Sequence, residues 1–272
     1  MLRSLYSGIS GMRGFQTKLD VIGNNIANVN TVGFKGSRVM FKDILSQTIA
    51  GVTAPVDGTG GANAKQVGLG VAISAIDTIH TPGSAMTTNV ATDLRINGDG
   101  FFAVKMTADQ EVSYLTRAGN FMLDAANQLV NGDGMLVMSS DGEPIVLDET
   151  VTAFSISQNG EIISVSADGT STSTGIFVGL VKITNPAGLE KIGGNMYRVT
   201  PNAMPEGAFE VGLANDAELG TGSIISGQLE MSNVDLTAEF TEMIVAQRGF
   251  QANSRIITVS DEILQEVVNL KR

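Results

Sequence analysis

Apolar residues near both ends of the chain recur at the spacing of an α-helix. Between Leu2 and Val29 they repeat every seven residues with no intervening proline, which predicts one helix with a narrow apolar stripe. A run of the same period after Asp235 predicts a second helix. We expect both stripes to pack against other helices. The residues predicted to form these assembly surfaces are Leu5, Met12, Leu19, Ile22 and Ile26 in the first helix and Leu236, Phe240, Met243, Phe250, Ile257 and Leu264 in the second.

The middle of the chain alternates short β-prone runs with turn dipeptides. Asn-Gly and Asp-Gly pairs favour tight hairpins because their residues tolerate positive φ. The pattern therefore predicts an antiparallel β-domain of many short strands. The turns are Asn97-Gly98, Asn131-Gly132, Asp141-Gly142, Asn159-Gly160 and Asp168-Gly169, and the runs are 71–79, 101–105, 154–157, 161–166 and 176–184.

Two loose stretches separate the helices from the β-domain. Residues 48–66 contain almost no large apolar side chain, which is typical of a linker or extended arm, and residues 200–222 form a second Gly-rich stretch. The predicted fold class is α+β, with N- and C-terminal helices forming a coiled-coil-like core and a mainly antiparallel β-domain inserted between them. The predicted boundaries are 1–35 and 232–272 for the helical domain, 36–70 and 218–231 for the connecting region, and 71–217 for the β-rich domain.

Four glycines affect the first helix in two ways. Gly8, Gly11, Gly14 and Gly23 each weaken an isolated helix by up to ~1 kcal/mol relative to alanine, but glycine also lets another helix approach closely. Both effects fit a segment that becomes ordered when neighbouring copies surround it, as in a homopolymer. An antiparallel helical hairpin within one chain and a dimeric coiled coil explain the same pattern, and the spacing does not choose between them.

Charge and composition exclude several classes of function. The net charge of −11 disfavours nucleic-acid binding, because phosphate contacts need clustered Lys and Arg. Residues 1–45 carry six basic and two acidic side chains, while residues 229–272 carry four basic and seven acidic ones, so the two ends are opposite in sign. The sequence has no cysteine, which excludes disulfides and thiolate sites. It also has no apolar run near the ~20 residues of a membrane span, and we expect no membrane insertion.

Residues with catalytic or metal-binding chemistry are few. His80 is the only histidine, so neither a multi-His metal site nor a His-based triad can be built. The turns at Asn97 and Asn131 begin like calcium loops, but the twelfth residue is never the required glutamate. We therefore expect no catalytic residue, no cofactor and no metal site, and a structural rather than an enzymatic role.

Distinctive motifs lie at both ends of the chain, in segments 19–35 and 232–253, and in its middle, in segments 97–102 and 116–121. They resemble the motifs of bacterial flagellar rod and hook proteins, the axial protein family, in which 232–253 is similar to the C-terminal helix and the two middle segments are similar to motifs of the β-domain. The N-terminal signature lies at the end of the first helix and consists of Ala27, Asn28, Thr31, Gly33, Phe34 and Lys35. We interpret Gly33 as the positive-φ residue that ends the helix, Phe34 as an anchor just beyond it, and Lys35 as exposed.

The resemblance implies a subunit of a hollow helical tube built from many copies. The terminal helices would form the inner tube and the β-domain would lie outside. The resemblance also implies export through the flagellar type III apparatus without a cleaved signal peptide, and a location in the flagellar hook or basal body outside the cell. The implied partners are the distal rod protein, the hook cap or scaffold protein and the hook–filament junction proteins.

Within the family, the sequence favours a short hook protein, the flexible joint that transmits motor torque to the filament. Segments 19–28, 66–70 and 230–237 resemble those of hook proteins, and the chain is too short for the extra outer domain of long hook proteins. A distal rod protein is the alternative, because rod proteins carry an extra stretch after the first helix, where residues 48–66 lie. An alternative of another class, a secreted β-rich adhesin or binding module, leaves both terminal stripes unexplained.

Overall fold

A computed structural model describes residues 2–55, 60–107, 110, 113–148, 151–166, 170–205 and 209–270. Helix α1 spans Leu2–Ala27 and helix α2 spans Leu236–Asn269, so the two predicted terminal helices are confirmed. A single 3₁₀ turn is described, at Pro186–Gly188. The described strands are β1 (Ser37–Asp43), β2 (Ser46–Ala50), β3 (Lys65–Gly68), β4 (Val71–Thr78), β5 (Ala85–Thr87), β6 (Leu94–Asn97), β7 (Phe101–Lys105), β8 (Tyr114–Thr116), β9 (Met122–Leu123), β10 (Leu129–Val130), β11 (Leu136–Val137), β12 (Val151–Ile156), β13 (Glu161–Ser166), β14 (Ser171–Phe177), β15 (Leu180–Val181), β16 (Glu190–Gly193), β17 (Met196–Arg198), β18 (Ser223–Ser226) and β19 (Gln228–Glu230).

The fold is α+β, as predicted, and the chain divides into two compact units. The first unit comprises Met1–Ala27, Ser37–Thr78 and Asp235–Arg272, and the second comprises Asn28–Gly36 and Ile79–Val234. Strand β4, which the sequence assigned to the β-rich domain, belongs to the first unit because it pairs antiparallel with β1 from end to end. Residues 218–231, predicted as a connection, contribute strands β18 and β19 to the second unit.

The first unit contains both helices and two antiparallel ribbons. Helix α2 begins at Asp235, whose carboxylate accepts hydrogen bonds from the backbone N–H groups of Thr237 (2.8 Å) and Ala238 (3.4 Å). This is an N-cap, which satisfies donors that the first helical turn leaves unpaired. The stretch predicted as a linker is partly ordered, because β2 pairs with β3 in a ribbon that is exposed along its length. No helix in the described part of the chain is long and apolar enough to cross a membrane.

The second unit is built around an eight-stranded antiparallel sheet. The strand order is β16-β17-β8-β7-β11-β10-β9, and β15 also pairs with β7. A three-stranded sheet, β12-β13-β14, and two pairs, β18-β6 and β19-β5, complete the unit. Strand β7 lies between two cores because its side chains alternate between the faces of the sheet: Phe102 and Val104 enter one apolar cluster, and Phe101 and Ala103 enter the other.

Three of the predicted hairpin turns are confirmed by their cross-turn hydrogen bonds. Asn131 N–H donates to Met135 O (2.9 Å), Ser139 N–H to Glu143 O (2.8 Å) and Ser157 N–H to Glu161 O (2.9 Å). The prediction of a hairpin at Asn97-Gly98 is wrong, because β6 pairs with β18 and β7 pairs with β8 instead of with β6. The predicted turn at Asp168-Gly169 lies outside the described residues.

Candidate functional site

Helices α1 and α2 run antiparallel, and glycines of both helices lie where the two approach closely. A Cβ atom at Gly8 would lie 3.4 Å from Cγ1 of Ile257, and one at Gly11 would lie 2.9 Å from Nδ2 of Asn253. On the other helix, a Cβ atom at Gly249 would lie 2.6 Å from the ring of Phe15. In this chain, therefore, the glycines of both helices permit close contact.

The predicted stripe of α1 is only partly covered. Ile22 is buried, whereas Leu5, Met12, Leu19 and Ile26 are half-buried. The reason is geometric. Gly8 faces α2, and Leu5, three residues earlier, points about 60° away from Gly8 around the helix axis. Each stripe residue of α1 apart from Ile22 therefore keeps part of its apolar surface in contact with solvent.

The predicted stripe of α2 is more exposed than that of α1. Phe240 is 50% exposed, Leu236 is 40% exposed and Phe250 is 37% exposed, while Met243, Ile257 and Leu264 are half-buried. Other apolar residues of this helix add to the exposed surface, namely Ile244, Val245, Ile256, Val259, Ile263, Val267 and Val268. Uncovered apolar area of this kind is typical of a surface that another protein covers. The assignment of these residues to an assembly interface stays a prediction.

Substitution of two glycines tests whether close approach holds the helices together. We expect Gly249→Ala to be about 1–3 kcal/mol less stable than Gly23→Ala, because the new methyl group meets the Phe15 ring. Gly23 is the matched control, since a Cβ atom there has no neighbour within 4 Å and alanine favours the helix by up to ~1 kcal/mol. Thermal unfolding followed by circular dichroism at 222 nm measures both. Equal midpoints for the two variants would contradict a glycine-dependent contact.

A buried cluster of charged residues lies in the second unit at the family signature. The carboxylate of Glu230 accepts hydrogen bonds from Lys35 Nζ (2.5 Å), Arg117 Nη1 (3.1 Å) and the backbone N–H of Gly83 (2.9 Å). The side chains of Lys35 and Glu230 are each 1% exposed. The prediction that Lys35 is exposed is therefore wrong. Its ammonium group is buried because it has a carboxylate partner and also donates to the Thr81 carbonyl oxygen (2.8 Å).

The other signature residues surround this cluster. Gly33 has φ of +70°, and a Cβ atom there would lie 2.5 Å from the backbone nitrogen of Ala118. Gly33 thus serves a close backbone contact and does not end α1, which stops at Ala27. Phe34, which we interpreted as an anchor, is buried, and the ammonium group of Lys191 lies 4.6 Å from its ring centroid.

Asn28 and Thr31 form the turn that follows α1, and Ala27 is exposed at its end. The backbone N–H of Thr31 donates to Asn28 O (3.1 Å), and the Thr31 hydroxyl donates to Asn28 Oδ1 (3.1 Å). These contacts are local in sequence. The signature therefore combines a turn at residues 28–31 with a buried attachment at residues 33–35.

Two asparagines that the sequence analysis did not single out hold the chain on either side of Gly36. In the first unit, buried Asn25 donates from Nδ2 to Ser37 O (2.8 Å) and accepts at Oδ1 from the Ser37 N–H (3.0 Å). In the second unit, Asn233 accepts at Oδ1 from the Gly36 N–H (2.8 Å). Asn233 also donates from Nδ2 to the carbonyl oxygen of Ile79 (2.8 Å). An asparagine can imitate a backbone unit in this way because it carries both a donor and an acceptor.

The pKa values of the cluster follow from its uneven charge. Burial lowers the pKa of Lys35, and repulsion by Arg117 and Arg95 adds to this effect, while Glu230 opposes it. Burial alone would raise the pKa of Glu230, but Arg117 and Lys35 outweigh it and hold the pKa below its ordinary value. One carboxylate thus serves several cations, so its loss leaves more than one buried charge without a partner.

His80 lies beside this cluster and stays neutral. Its ring is 5.7 Å from that of Phe101 and 5.5 Å from that of Tyr197, centroid to centroid. Burial lowers the pKa of His80 to about 4, and the positive charges of Lys35, Lys191 and Arg117 contribute. It lines an open cavity of about 540 Å³ together with Asp99 and Lys182.

The pH dependence of stability provides a test of the His80 environment. Because the pKa is about 4 in the folded state and about 6.5 when unfolded, the unfolded chain takes up the proton first. Stability of the second unit is therefore full above pH ~6.5 and falls as the pH drops towards 4. We expect the free energy of unfolding to fall by on the order of 1–2 kcal/mol between pH 7 and 4.5, a figure that allows for the partial exposure of His80. The His80→Gln variant should lack this decrease. Urea unfolding at the two pH values measures this, and equal losses in both proteins would refute the assignment.

Metal ions in proteins require a set of several ligand side chains. Within this part of the chain, no group of three or more His, Cys, Asp or Glu side chains could hold a metal ion. In the cavity, His80 is neutral and Arg117 is already paired with Glu230. The distinctive features of the two units are therefore the exposed apolar residues of α2 and the buried polar cluster around Glu230.

Comparisons with known proteins match both ends and the middle of the chain. The model "Flagella basal body rod protein" matches residues 5–35, "Flagellar hook protein FlgE/F/G D1 domain" matches residues 95–170, and "Flagellar basal body rod FlgEFG protein C-terminal" matches residues 225–270. The first match contains the signature up to Lys35, and the third contains Glu230, Asn233 and the stripe of α2.

Several relatives align with the whole chain. Flagellar basal-body rod protein FlgG of Bacillus subtilis (strain 168) is 56% identical over 272 residues, which is 100% of each chain. FlgG of Borreliella burgdorferi is 37% identical over 277 residues and is also covered completely. Flagellar hook protein FlgE of Treponema pallidum is 45% identical over 176 residues, which is 64% of this chain and 37% of that protein.

Proposed function

This chain belongs to the family of flagellar basal-body rod and hook proteins, and we propose that it is a structural subunit of the distal rod of the flagellar basal body. Proteins of this family are structural components of the flagellar axis and not enzymes. The observation that carries the proposal is the 56% identity to a rod protein over the full length of both chains. The hook protein of Treponema pallidum is less similar, at 45% identity over 64% of this chain.

The hook expectation therefore has less support than its alternative. Segments 19–28 and 230–237 suggested a hook, but they lie in regions matched by rod-protein models, so they do not separate the two. Residues 48–66, which argued for a rod, lie within the full-length match to the rod protein. Part of this stretch contributes to the exposed β2–β3 ribbon, in which Ile49 and Val67 keep apolar surface available to neighbours.

The proposed assembly is a homopolymer in which the stripes of α1 and α2 are covered by neighbouring copies. The exposed fractions of Phe240 and Phe250 support it, because these rings gain most from burial. Export through the flagellar type III apparatus and an extracellular position in the axis follow from the same proposal. The distal rod protein was predicted as a partner, but under this proposal it is this chain itself. The hook cap and the hook–filament junction proteins stay predicted partners of the hook alternative.

Deletion of the gene followed by electron microscopy of purified basal bodies tests the proposal. We expect truncated rods without a hook, because a missing distal rod subunit halts growth before the hook can begin. A completed rod that lacks only the hook would favour the hook alternative. Intact flagella in the deletion strain would overturn both readings and leave the adhesin alternative.

A further inference from the structure

The chain passes between its two compact units at four places. These crossings fall at residues 27–28, 36–37, 78–79 and 234–235. On the side of the second unit, the crossings are the ends of three segments: residues 28–36, the residues that begin at 79, and the residues that end at 234. Any force that passes from one unit to the other along the chain must pass through these segments.

Asn233 connects all three segments. Its Oδ1 accepts from the Gly36 N–H (2.8 Å), and its Nδ2 donates to Ile79 O (2.8 Å) and to the hydroxyl of Thr81 (3.0 Å). The backbone N–H of Ile79 donates to Gly36 O (2.8 Å), which joins the same segments directly. Asn233 itself lies next to the fourth crossing, at 234–235. Its side chain thus bonds to Gly36 at the second crossing and to Ile79 at the third.

Glu230 connects the same three segments a second time. Its carboxylate binds Lys35 in the first segment and the Gly83 N–H in the second, and its backbone carbonyl accepts from the Gly33 N–H (2.8 Å). Lys35 completes the set by donating to Thr81 O (2.8 Å). The bonds of Glu230 and Asn233 use different atoms, so two sets of contacts join the same three segments.

Arg117 attaches this set to the body of the second unit. Its Nη1 donates to Glu230 (3.1 Å) and its Nη2 donates to Gly98 O (2.7 Å), which follows β6. From the β16–β17 hairpin, Lys191 donates to Lys35 O (2.8 Å) and Asn195 donates to Val32 O (2.9 Å). The segments next to the crossings are therefore fixed to the sheet and to each other.

We propose that Lys35, Arg117, Glu230 and Asn233 form a clamp that makes the four crossings a single mechanical joint. Load carried by the terminal helices then reaches the β-rich unit through all crossings together, and no single crossing is stretched alone. The mechanical part rests on the proposed function as a structural subunit of the flagellar rod. The cooperative part concerns only the isolated chain and holds for a rod or a hook subunit.

Amide hydrogen exchange of the full-length Asn233→Ala protein tests the cooperative part. Asn233 provides the acceptor for the Gly36 N–H, whereas the amides of Gly33, Ile79 and Gly83 have acceptors that the substitution leaves in place. We expect exchange at all four amides to accelerate together by about tenfold or more, because the segments open as one unit. Acceleration at Gly36 alone, or at none of the four, overturns the clamp.

Two further variants make the result specific. Asn131→Ala is the matched control, since Asn131 Oδ1 also accepts two backbone N–H groups, those of Asp133 (3.0 Å) and Met135 (2.9 Å), in a turn of the same unit. The Asn131→Ala variant is expected to leave the exchange rates of the four amides unchanged. Faster exchange at these amides in Asn131→Ala would indicate a general loosening of the unit and contradict the clamp. If Asn233→Ala does not fold, Thr81→Val removes one hydroxyl partner of Asn233 and is expected to give the same joint pattern at smaller amplitude.

Swimming under load tests the mechanical part. Cells that carry Asn233→Ala are expected to assemble flagella but to stop swimming at a lower medium viscosity than wild-type cells. Equal swimming at every viscosity overturns the mechanical part of the clamp. Truncated basal bodies of the deletion strain address the proposed function separately, so failure of one proposal is distinguishable from failure of the other.

Discussion

Glu230→Gln is expected to destabilise the second unit by about 3–5 kcal/mol, because it leaves the buried charges of Lys35 and Arg117 without their carboxylate. The side chain keeps its size and can still accept hydrogen bonds, so the loss reports charge and not volume. Urea or guanidinium unfolding of the full chain, followed by fluorescence of Tyr197 and the other tyrosines, measures it.

Two comparisons keep the interpretation of Glu230→Gln specific. Glu190→Gln breaks the exposed pair with Arg198 and is expected to leave the unfolding midpoint nearly unchanged. The double variant Lys35→Met with Glu230→Gln is expected to recover part of the loss, because one unpaired cation has been removed. A double variant less stable than Glu230→Gln alone would contradict the ion pair as the cause.

Acid sensitivity provides a further measurement on Glu230. Its pKa is lower in the folded state than the ordinary value of 4.5, so the unfolded chain binds the proton first on acidification. The resulting stability is present above pH ~4.5 and is lost as the pH falls through the lowered pKa. Glu230→Gln should lack this component, and a wild-type protein with no such additional loss below pH 4.5 would contradict the shift.

Phe250→Asp is expected to abolish polymerisation while the second unit stays folded. Phe250 belongs to the first unit and is 37% exposed, so folding of the second unit does not depend on it, whereas a neighbouring copy would have to bury a carboxylate in its place. A penalty of about 3 kcal/mol raises the concentration needed for assembly by roughly 150-fold. Light scattering and electron microscopy of the concentrated protein measure assembly, and circular dichroism checks the fold.

Gln251→Asp is the matched control for this prediction, because Gln251 is an exposed polar neighbour on the same helix and receives the same charge. It is expected to assemble normally. Leu19→Asp, on the half-buried stripe of α1, should behave like Phe250→Asp. Wild-type motility of cells that carry either stripe variant would count against the assembly surface.

Local sequence patterns predicted the elements of this fold but not their long-range partners. The seven-residue period gave both helices, and the turn dipeptides at Asn131 and Asn159 gave hairpins, because these signals act within a few residues. The turn at Asn97 failed for the opposite reason. Strand β6 finds a better partner in β18, more than a hundred residues away along the chain.

The buried charge cluster was missed because its members are far apart in sequence. Lys35 and Glu230 are separated by 195 residues, and a lone lysine after a helix is normally exposed. A weak signal was available, since Glu230 stands between Leu229 and Met231 in a strand-like run, where a charge needs a partner. Hook and rod could not be separated either, because the motifs at both ends belong to regions that the two kinds of protein share.

The antiparallel pairing of α1 with α2 has a consequence for how a subunit is completed. Gly8 meets Ile257 and Gly11 meets Asn253, so this contact of α1 can form only after α2 has been synthesised. A chain truncated before residue 236 retains the strands of the second unit but leaves α1 without its helical partner. The contact of α1 therefore depends on a helix that follows the whole second unit in the sequence, so loss of α2 uncovers the face of α1 that carries Gly8 and Gly11.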